Sequence, residues 1–122
     1  MAKTVLVADD EESIRALIAA LLNSTDRYRV VMAEDGDQAI EKARAEKPDV
    51  VLLDVRMPMK DGYEVCRTLK TDASTSHIRV IMLTAMAQEY DRALAMRSGA
   101  DAYLPKPFSL KALLDKVQEM LS

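Results

Sequence analysis

Residues 50–62 read Val-Val-Leu-Leu-Asp-Val-Arg-Met-Pro-Met-Lys-Asp-Gly, a short apolar run that ends in a carboxylate and continues into a loop. Four successive apolar residues are typical of a strand that is buried on both faces, as in a parallel sheet. Asp54 would then lie at the carboxyl edge of the sheet and point into solvent, where open α/β sheets place their reactive groups. This stretch therefore predicts both a fold class and the position of a site.

Four further short runs have strand character, and they alternate with longer segments of helical periodicity. The predicted strands are Thr4–Ala8, Arg29–Ala33, Val50–Leu53, Val80–Leu83 and Ala102–Leu104. The second of them alternates between apolar and polar residues, which suits an edge strand. The helical segments carry apolar residues at Ile14, Leu17, Ile18, Leu21 and Leu22; at Ala39, Ile40 and Ala43; within 63–70 and 88–97; and at Leu110, Leu113, Leu114, Val117 and Leu121.

Polar residues and glycines mark where these helices begin and end. Asp35 or Gly36 is expected to cap the second helix, Gly99 to stop the fourth, and Ser109 to cap the last. The chain therefore contains five βα units, and crossovers between parallel strands are right-handed. The predicted fold is α/β: a doubly wound five-stranded parallel sheet of order 2-1-3-4-5, flavodoxin-like, with five helices. We expect one domain over residues 1–122, with nothing left for an output domain.

Composition narrows the class of protein. The formal net charge is -3, which argues against direct nucleic-acid binding, and no apolar stretch approaches the roughly 20 residues that span a bilayer. Cys66 is the single cysteine and His77 the single histidine, so an internal disulfide is impossible and a zinc site is improbable. The N-terminus carries no signal-peptide pattern, and we expect a cytoplasmic protein.

Polar residues follow four of the apolar runs and would meet at one edge of the sheet. Asp9 and Asp10 follow the first run, Asp54 the third, Thr84 the fourth and Lys106 the fifth. Three converging carboxylates repel one another unless a cation offsets their charge, and Mg²⁺ prefers such oxygen ligands. An ammonium and a hydroxyl beside them suit the charged oxygens of a transferring phosphoryl group. The pattern indicates magnesium-assisted phosphoryl transfer onto Asp54.

The same residues carry a resemblance to a known family. The chain resembles the receiver domain of bacterial two-component response regulators, of the stand-alone chemotaxis type, over essentially its whole length. The matching pieces are Asp9-Asp10, Asp54 with Met57-Pro58 and Asp61-Gly62, Thr84-Ala85, and the run from Gly99 to Phe108.

The resemblance implies a set of ligands for a metal ion and a phosphoryl acceptor. Asp54 would be the acceptor. Asp10 and Asp54, with the backbone carbonyl of Arg56, would bind Mg²⁺ directly, and Asp9 would act mainly through a coordinated water. Mn²⁺ would be able to replace Mg²⁺. The protein would catalyse its own phosphorylation and dephosphorylation without being an enzyme in the ordinary sense.

The resemblance also implies a readout. Thr84 and Lys106 would contact the phosphoryl group, and the Lys106–Pro107 peptide bond would be cis. Tyr103 would turn inward when Thr84 moves, changing the surface formed by helix 4, strand 5 and helix 5. Without the surrounding pattern, Tyr103 reads as a half-buried strand residue.

The implied partners are a histidine kinase or phosphotransfer protein as donor and a protein effector that the sequence does not identify. No membrane or nucleic-acid partner is implied, and the last helix lacks an arginine-rich dimerisation face, so we expect a monomer. Met86, two residues after Thr84, offers no polar group to orient water, which suggests slow self-dephosphorylation, although Arg56 could screen the site or pair with the phosphate.

Three alternatives stay open at this point. A flavodoxin-like cofactor binder would need glycines and hydroxyls after strand 1, where this chain has four acidic residues. A haloacid-dehalogenase-like phosphatase places its nucleophile after strand 1 and usually carries a cap insertion. A receiver-like docking module that works without phosphorylation would need none of the reactive residues.

Overall fold

Five strands and five helices alternate along the chain in a computed structural model that describes residues 2–84 and 89–122. The strands are β1 Lys3–Ala8, β2 Tyr28–Ala33, β3 Val50–Asp54, β4 Arg79–Thr84 and β5 Ala102–Pro105. The helices are α1 Glu12–Asn23, α2 Gly36–Glu46, α3 Gly62–Thr71, α4 Glu89–Arg97 and α5 Leu110–Leu121. The strands form one parallel sheet of order β2-β1-β3-β4-β5, which confirms the predicted topology and the edge position of β2.

Each strand is one or two residues longer than its apolar run predicted, because backbone pairing continues past the run, in most strands through polar residues. β3 extends to Asp54, which lies opposite Leu83 of β4, and β4 extends to Thr84, which lies opposite Pro105. The polar residues that we predicted to follow these strands are therefore held in the sheet register.

Side chains alternate along each strand and give the sheet two buried faces. On one face, Leu6, Val51, Leu53, Val80 and Met82 pack against buried residues of α2, α3 and α4. On the other face, Val5, Val7, Leu52, Ile81 and Leu83 pack against buried residues of α1 and α5. This two-sided burial explains why the central strands read as continuous apolar runs.

The predicted helix signals hold in the structure. The Asp35 side chain accepts from the backbone N–H of Gln38, and the Ser109 hydroxyl accepts from that of Ala112. Gly99 adopts a φ of 99°, a left-handed stop immediately beyond α4.

Two apolar residues at helical spacing do not reach the core. Leu17 is 49% exposed and Leu110 is 39% exposed. The fully buried positions of α1 and α5 are fewer, with Ile18 and Leu22 in α1 and Leu113 and Val117 in α5. Leu17 and Leu110 thus lie beside this narrow buried stripe. No helix in the described parts of the chain has both the length and the apolar character needed to cross a membrane.

Candidate functional site

Three carboxylates converge at the carboxyl edge of the sheet. Asp9 directly follows β1, and Asp54 is the last residue of the adjacent strand β3. With Asp10, they offer carboxylate oxygens that all lie within 4.8 Å of one another. The structure therefore brings together the acidic residues that the sequence placed on two separate strands.

Burial at this edge is greater than the sequence suggested. We expected Asp54 to point into solvent, but it is only 6% exposed, and Asp9 is completely buried. Asp10, in contrast, is exposed. The pairing of Asp54 within the sheet, together with the loops beside it, accounts for this burial, so that a ligand reaches Asp54 through a confined opening.

Lys106 bridges the two buried carboxylates. Its Nζ atom donates to Asp9 Oδ2 at 3.1 Å and to Asp54 Oδ1 at 3.2 Å. The Lys106 backbone N–H donates to the carbonyl of Thr84 at 2.6 Å, which fixes the start of the loop after β5 against the end of β4. The Lys106–Pro107 peptide bond is cis.

One ammonium does not offset the charge of three neighbouring carboxylates. Burial, and after it the charge of Asp9, raises the pKa of Asp54 to about 6, although Lys106 acts in the opposite direction. Burial by itself would lower the pKa of Lys106, but the charges of Asp54 and Asp9 outweigh it and raise that pKa above its ordinary value. The site therefore favours a further positive charge, either a proton or a metal cation.

The donor set fits a hard divalent cation such as Mg²⁺, which takes oxygen ligands and needs only one or two carboxylates. Both oxygens of Asp9 already have partners, because Oδ1 accepts from the backbone N–H of Glu11 at 3.0 Å and Oδ2 accepts from Lys106. The exposed carboxylate of Asp10 and the carboxylate of Asp54 are better placed to coordinate an ion directly. Among the described residues, only these three aspartates form a group of this kind.

A cavity of about 270 Å³ opens over these groups. Its walls are formed by Asp10, Glu11, Asp54, Val55, Arg56, Thr84 and Lys106. The volume is close to the lower limit for small-molecule sites, and all of the lining residues except Val55 carry a charged or polar side chain. These properties suit a phosphoryl group and a hydrated ion better than a large organic cofactor.

Thr84 and Tyr103 share one face of the sheet. Tyr103 of β5 lies opposite Met82 of β4, and Thr84 follows two residues later on the same face. Thr84 is 2% exposed, whereas Tyr103 is half-buried and packs against the core under α2, α3 and α4. Ala85 and Met86, which we singled out in the sequence, and residue 88, where we predicted the fourth helix to begin, lie outside the described residues.

Arg15 contacts the backbone beside the acidic group, and we did not predict this role from the sequence. Its Nη1 atom donates to the backbone carbonyl of Asp9 at 2.6 Å, and its Nη2 atom lies 3.7 Å from Glu34 Oε2. The side chain thereby fastens the loop after β1 to α1. In the sequence Arg15 is one more charged residue of an amphipathic helix, so no local signal distinguishes it.

Known proteins share both the sequence pattern and this architecture. A family model described as the response regulator receiver domain matches residues 5–118. The alkaline phosphatase synthesis transcriptional regulatory protein PhoP of Bacillus subtilis is 42% identical over 121 residues, covering 99% of this chain and 49% of PhoP. The chain spans about half the length of the curated relatives it matches.

Two solved structures extend the comparison. Chemotaxis response regulator CheY4 of Vibrio cholerae superposes with a TM-score of 0.92 at 30% identity, covering 98% of this chain and 99% of CheY4. The receiver domain of sensor histidine kinase PA1611 from Pseudomonas aeruginosa, solved with magnesium coordinated in its active-site cleft, has a TM-score of 0.90 at 32% identity and full coverage of both chains. The fold, the acidic cleft and the match over most of its length show that this chain belongs to the response regulator receiver domain family, the phosphoryl-accepting signalling switches of two-component systems.

Proposed function

We propose that Asp54 is the phosphoryl acceptor of this switch and that the donor is a phosphohistidine on a histidine kinase or phosphotransfer protein. The observation that carries the proposal is the group made by Asp9, Asp10, Asp54 and Lys106. Its three carboxylates converge, the Lys106 ammonium pairs with Asp9 and Asp54, and a small cavity is lined by Asp10, Asp54 and Lys106. The family match supports it, because receiver domains take phosphoryl groups from histidine kinases.

The chemical step is a displacement at phosphorus. A carboxylate oxygen of Asp54 forms a bond to phosphorus while the N–P bond of the donor breaks, and the electron pair of that bond returns to the imidazole nitrogen. The product is an acyl phosphate, which hydrolyses readily, so that the modification is reversible. Catalysis is mainly positioning and charge stabilisation, and the receiver's own residues supply both.

Lys106 and Thr84 are the proposed contacts of the phosphoryl oxygens. The Lys106 ammonium already bridges Asp9 and Asp54, so it lies beside the carboxylate to which the phosphoryl group would be attached. Thr84 ends β4 and lines the same cavity, and its hydroxyl is the second proposed contact.

The proposed metal ligands are Asp10, Asp54 and the backbone carbonyl of Arg56, with Asp9 acting through water. When bound there, Mg²⁺ supplies positive charge that offsets both the carboxylates and the equatorial phosphoryl oxygens. Mn²⁺ is proposed to substitute, because it accepts the same oxygen ligands.

The proposed output is a population shift of the surface formed by α4, β5 and α5. Thr84 and Tyr103 lie on the same face of the sheet, so a change at the Thr84 hydroxyl alters the space into which the Tyr103 ring packs. Phosphorylation then favours one of two conformations that both exist beforehand. The partner that reads this surface is a protein effector of unspecified identity, and the receiver itself acts as a monomer.

Labelling with acetyl phosphate tests the chemistry without a kinase. Wild-type protein should gain one phosphoryl group in the presence of Mg²⁺ and none with excess EDTA, and borohydride reduction followed by peptide mass mapping should locate it at Asp54. Asp54→Asn should take up no label, whereas Asp115→Asn, an exposed aspartate of α5, should label as the wild type does. Equal labelling of Asp54→Asn and wild type would remove the proposed acceptor.

Partner capture tests the output. Wild-type protein locked with beryllofluoride and Mg²⁺ should retain a protein from a lysate of the source organism that Asp54→Asn under the same conditions does not retain. A set of bound proteins that is identical for the two samples contradicts phosphorylation-gated binding and favours the phosphorylation-independent docking module.

A further inference from the structure

We infer that the N-terminus of α2 is a positioning element for the loop between β3 and α3, with Gly36 as its contact residue and an Asp37–Lys60 ion pair as its second fastening. This loop, residues 55–61, carries the Arg56 carbonyl that we propose as a metal ligand, so the inference rests on the proposed function. α2 itself contributes no residue to the cavity over Asp54.

The contact at Gly36 is made by backbone on both sides. The Gly36 N–H donates to the carbonyl of Pro58 at 3.1 Å. A Cβ atom added at Gly36 would lie 2.2 Å from the carbonyl oxygen of Lys60 and 2.8 Å from its carbonyl carbon. Real Cβ atoms do not approach backbone so closely, so any side chain at Gly36 must displace the loop.

Glycine is required here for close approach and not for backbone conformation. Gly99 is the one described glycine with a positive φ, so Gly36 has a conformation that other residues adopt easily. Gly36 is also the first residue of α2, where Asp35 already provides the cap. The absence of a side chain therefore serves the contact with the loop.

The loop has a conformation that needs such support. Met59 has a φ of 73° and is 75% exposed, an unusual backbone state for a long side chain that costs about 1 kcal/mol or more. The base of the loop is closed by the Gly62 N–H, which donates to the carbonyl of Val55 at 2.8 Å. On its other side, the Gly36–Pro58 hydrogen bond and the Asp37–Lys60 pair join the loop to α2, while Met57 packs against the core. The contacts to α2 therefore help to hold the strained turn.

The ion pair adds a second connection between the same two segments. Lys60 Nζ donates to Asp37 Oδ1, joining the loop to the first turn of α2. Both side chains are substantially exposed, so the pair has a small effect on global stability, and its local effect is to restrict the loop. Arg56 lies between the closed base and this fastened side, and its carbonyl is thereby held before a metal arrives.

Mg²⁺ affinity, measured by titration calorimetry with MgCl₂ on the full chain, tests the inference through two variants that break the ion pair with opposite changes of charge. Lys60→Gln makes the protein more negative and Asp37→Asn makes it less negative. A positioning role predicts that both variants weaken Mg²⁺ binding, each by about twofold to fivefold, the range of an exposed ion pair. A purely electrostatic role predicts opposite signs, with tighter binding by Lys60→Gln.

Glu41→Gln is the matched control, because it makes the same charge change as Asp37→Asn one turn further along α2. It should bind Mg²⁺ within about the error of the wild type, since surface charges contribute little at this distance. Gly36→Ala should weaken binding by about tenfold, as expected when the support of a metal ligand is displaced. If Gly36→Ala does not fold, the ion-pair variants still decide the inference.

Amide hydrogen exchange of the metal-free proteins gives a second readout. The N–H groups of Lys60 and Gly62 should exchange faster in Lys60→Gln and Asp37→Asn, while those of β3 should be unchanged. The inference would be overturned if the wild type bound Mg²⁺ and every variant of α2 and the loop had the same Mg²⁺ affinity and the same amide exchange as the wild type. Failure of the wild type to bind Mg²⁺, or equal binding by Asp54→Asn, would instead contradict the proposed function.

Discussion

Aspartates lie at both ends of this sheet, and their hydrogen-bond and charge partners differ between the two ends. At the amino end, Asp49 precedes β3 and Asp101 precedes β5, and each accepts a backbone N–H of the neighbouring strand at 2.8 Å, from Thr4 and Val80 respectively. The two positions are equivalent in the register, one residue ahead of a strand that lies beside an earlier one. These carboxylates therefore satisfy backbone N–H groups at the amino end of the sheet.

Asp9 and Asp54 at the carboxyl end meet a different environment. The ends of parallel strands present carbonyl oxygens there, which cannot donate to a carboxylate. Asp101 lies 2.7 Å from Lys70 and 3.6 Å from Arg79, so that two cations pair with one carboxylate. At the other end, Lys106 is the one cation among the described residues that pairs with Asp9 and Asp54. The acidic group at the carboxyl end therefore has too little positive charge and can bind a further cation. The Asp101–Lys70 pair at the amino end is balanced and stabilises the fold.

Replacing the lysine at each end of the sheet should produce the largest difference between the two ends. The two lysines are Lys106 at the carboxyl end and Lys70 at the amino end. Lys106→Met should lower the rate of Mg²⁺-dependent labelling by acetyl phosphate about 100-fold, because a preorganised charge on the phosphoryl oxygens is lost. The same variant should bind Mg²⁺ more tightly, because a competing cation has gone.

Lys70→Met is the counterpart at the amino end. Its labelling rate should stay within about twofold of the wild type. Both quantities come from a time course of labelling and a Mg²⁺ titration on the two variants. A comparable loss of labelling rate in Lys70→Met would mean that the two ends are not functionally separate.

Asp101→Ala should produce the largest loss of stability. The change leaves the Val80 N–H without its acceptor and removes the carboxylate that balances the partly buried Lys70 ammonium. We expect the free energy of unfolding to fall by about 2–4 kcal/mol, measured by urea denaturation. Mg²⁺ affinity of the folded variant should be unchanged. A loss below about 0.5 kcal/mol would show that this aspartate is not structural.

Asp54→Asn should act in the opposite direction and stabilise the metal-free protein. The pKa of Asp54 is raised to about 6 from an ordinary value of 3.8, so the folded state binds the proton more tightly than the unfolded state. Its ionisation therefore costs stability as the pH rises through that window, and the full cost remains above it. Near pH 8 we expect Asp54→Asn to be more stable by about 1–2 kcal/mol, after allowing for the lost Lys106 contact.

The pH dependence provides the check on that expectation. The advantage of Asp54→Asn in urea denaturation with EDTA should shrink as the pH falls through the window between about 6 and 3.8, and vanish below about pH 3, where wild-type Asp54 is protonated in both states. Saturating Mg²⁺ should reduce the advantage near pH 8, because it stabilises the wild-type carboxylate. An advantage that is constant across this range would exclude charge as its cause.

Asp49→Asn should have the smallest effect. An amide oxygen can still accept from the Thr4 N–H, and no ion pair to Asp49 occurs among the described residues. We expect a loss below about 1 kcal/mol by urea denaturation, in contrast to Asp101→Ala. A larger loss would show that the charge of Asp49 contributes as well as its hydrogen bond.

Local chemistry accounts for the parts of the fold that could be predicted. Two-faced burial makes β1, β3 and β4 continuous apolar runs, and the caps at Asp35 and Ser109 are decided by residues only three positions apart. The exposure of individual side chains could not be predicted from local sequence. Leu17 and Leu110 have the helical spacing of core residues, yet α1 and α5 turn narrower faces to the sheet, and only packing decides how wide those faces are.

The candidate site likewise has some features that follow from the sequence and others that depend on packing. The alternation of βα units predicts a parallel sheet, whose strands all end at the same edge. The sequence by itself therefore determined that Asp9, Asp10, Asp54, Thr84 and Lys106 lie at one edge. The depth at which Asp54 lies, the bridge that Lys106 makes to Asp9 and Asp54, and the raised pKa of Asp54 depend on the packing of the surrounding loops. The contact of Arg15 with the Asp9 carbonyl and that of Gly36 with the loop after β3 follow no sequence pattern that would have predicted them. The sequence specifies the residue types and the alternation of strands and helices. Burial and charge balance arise only when separate segments pack together, so the tertiary structure alone decided these.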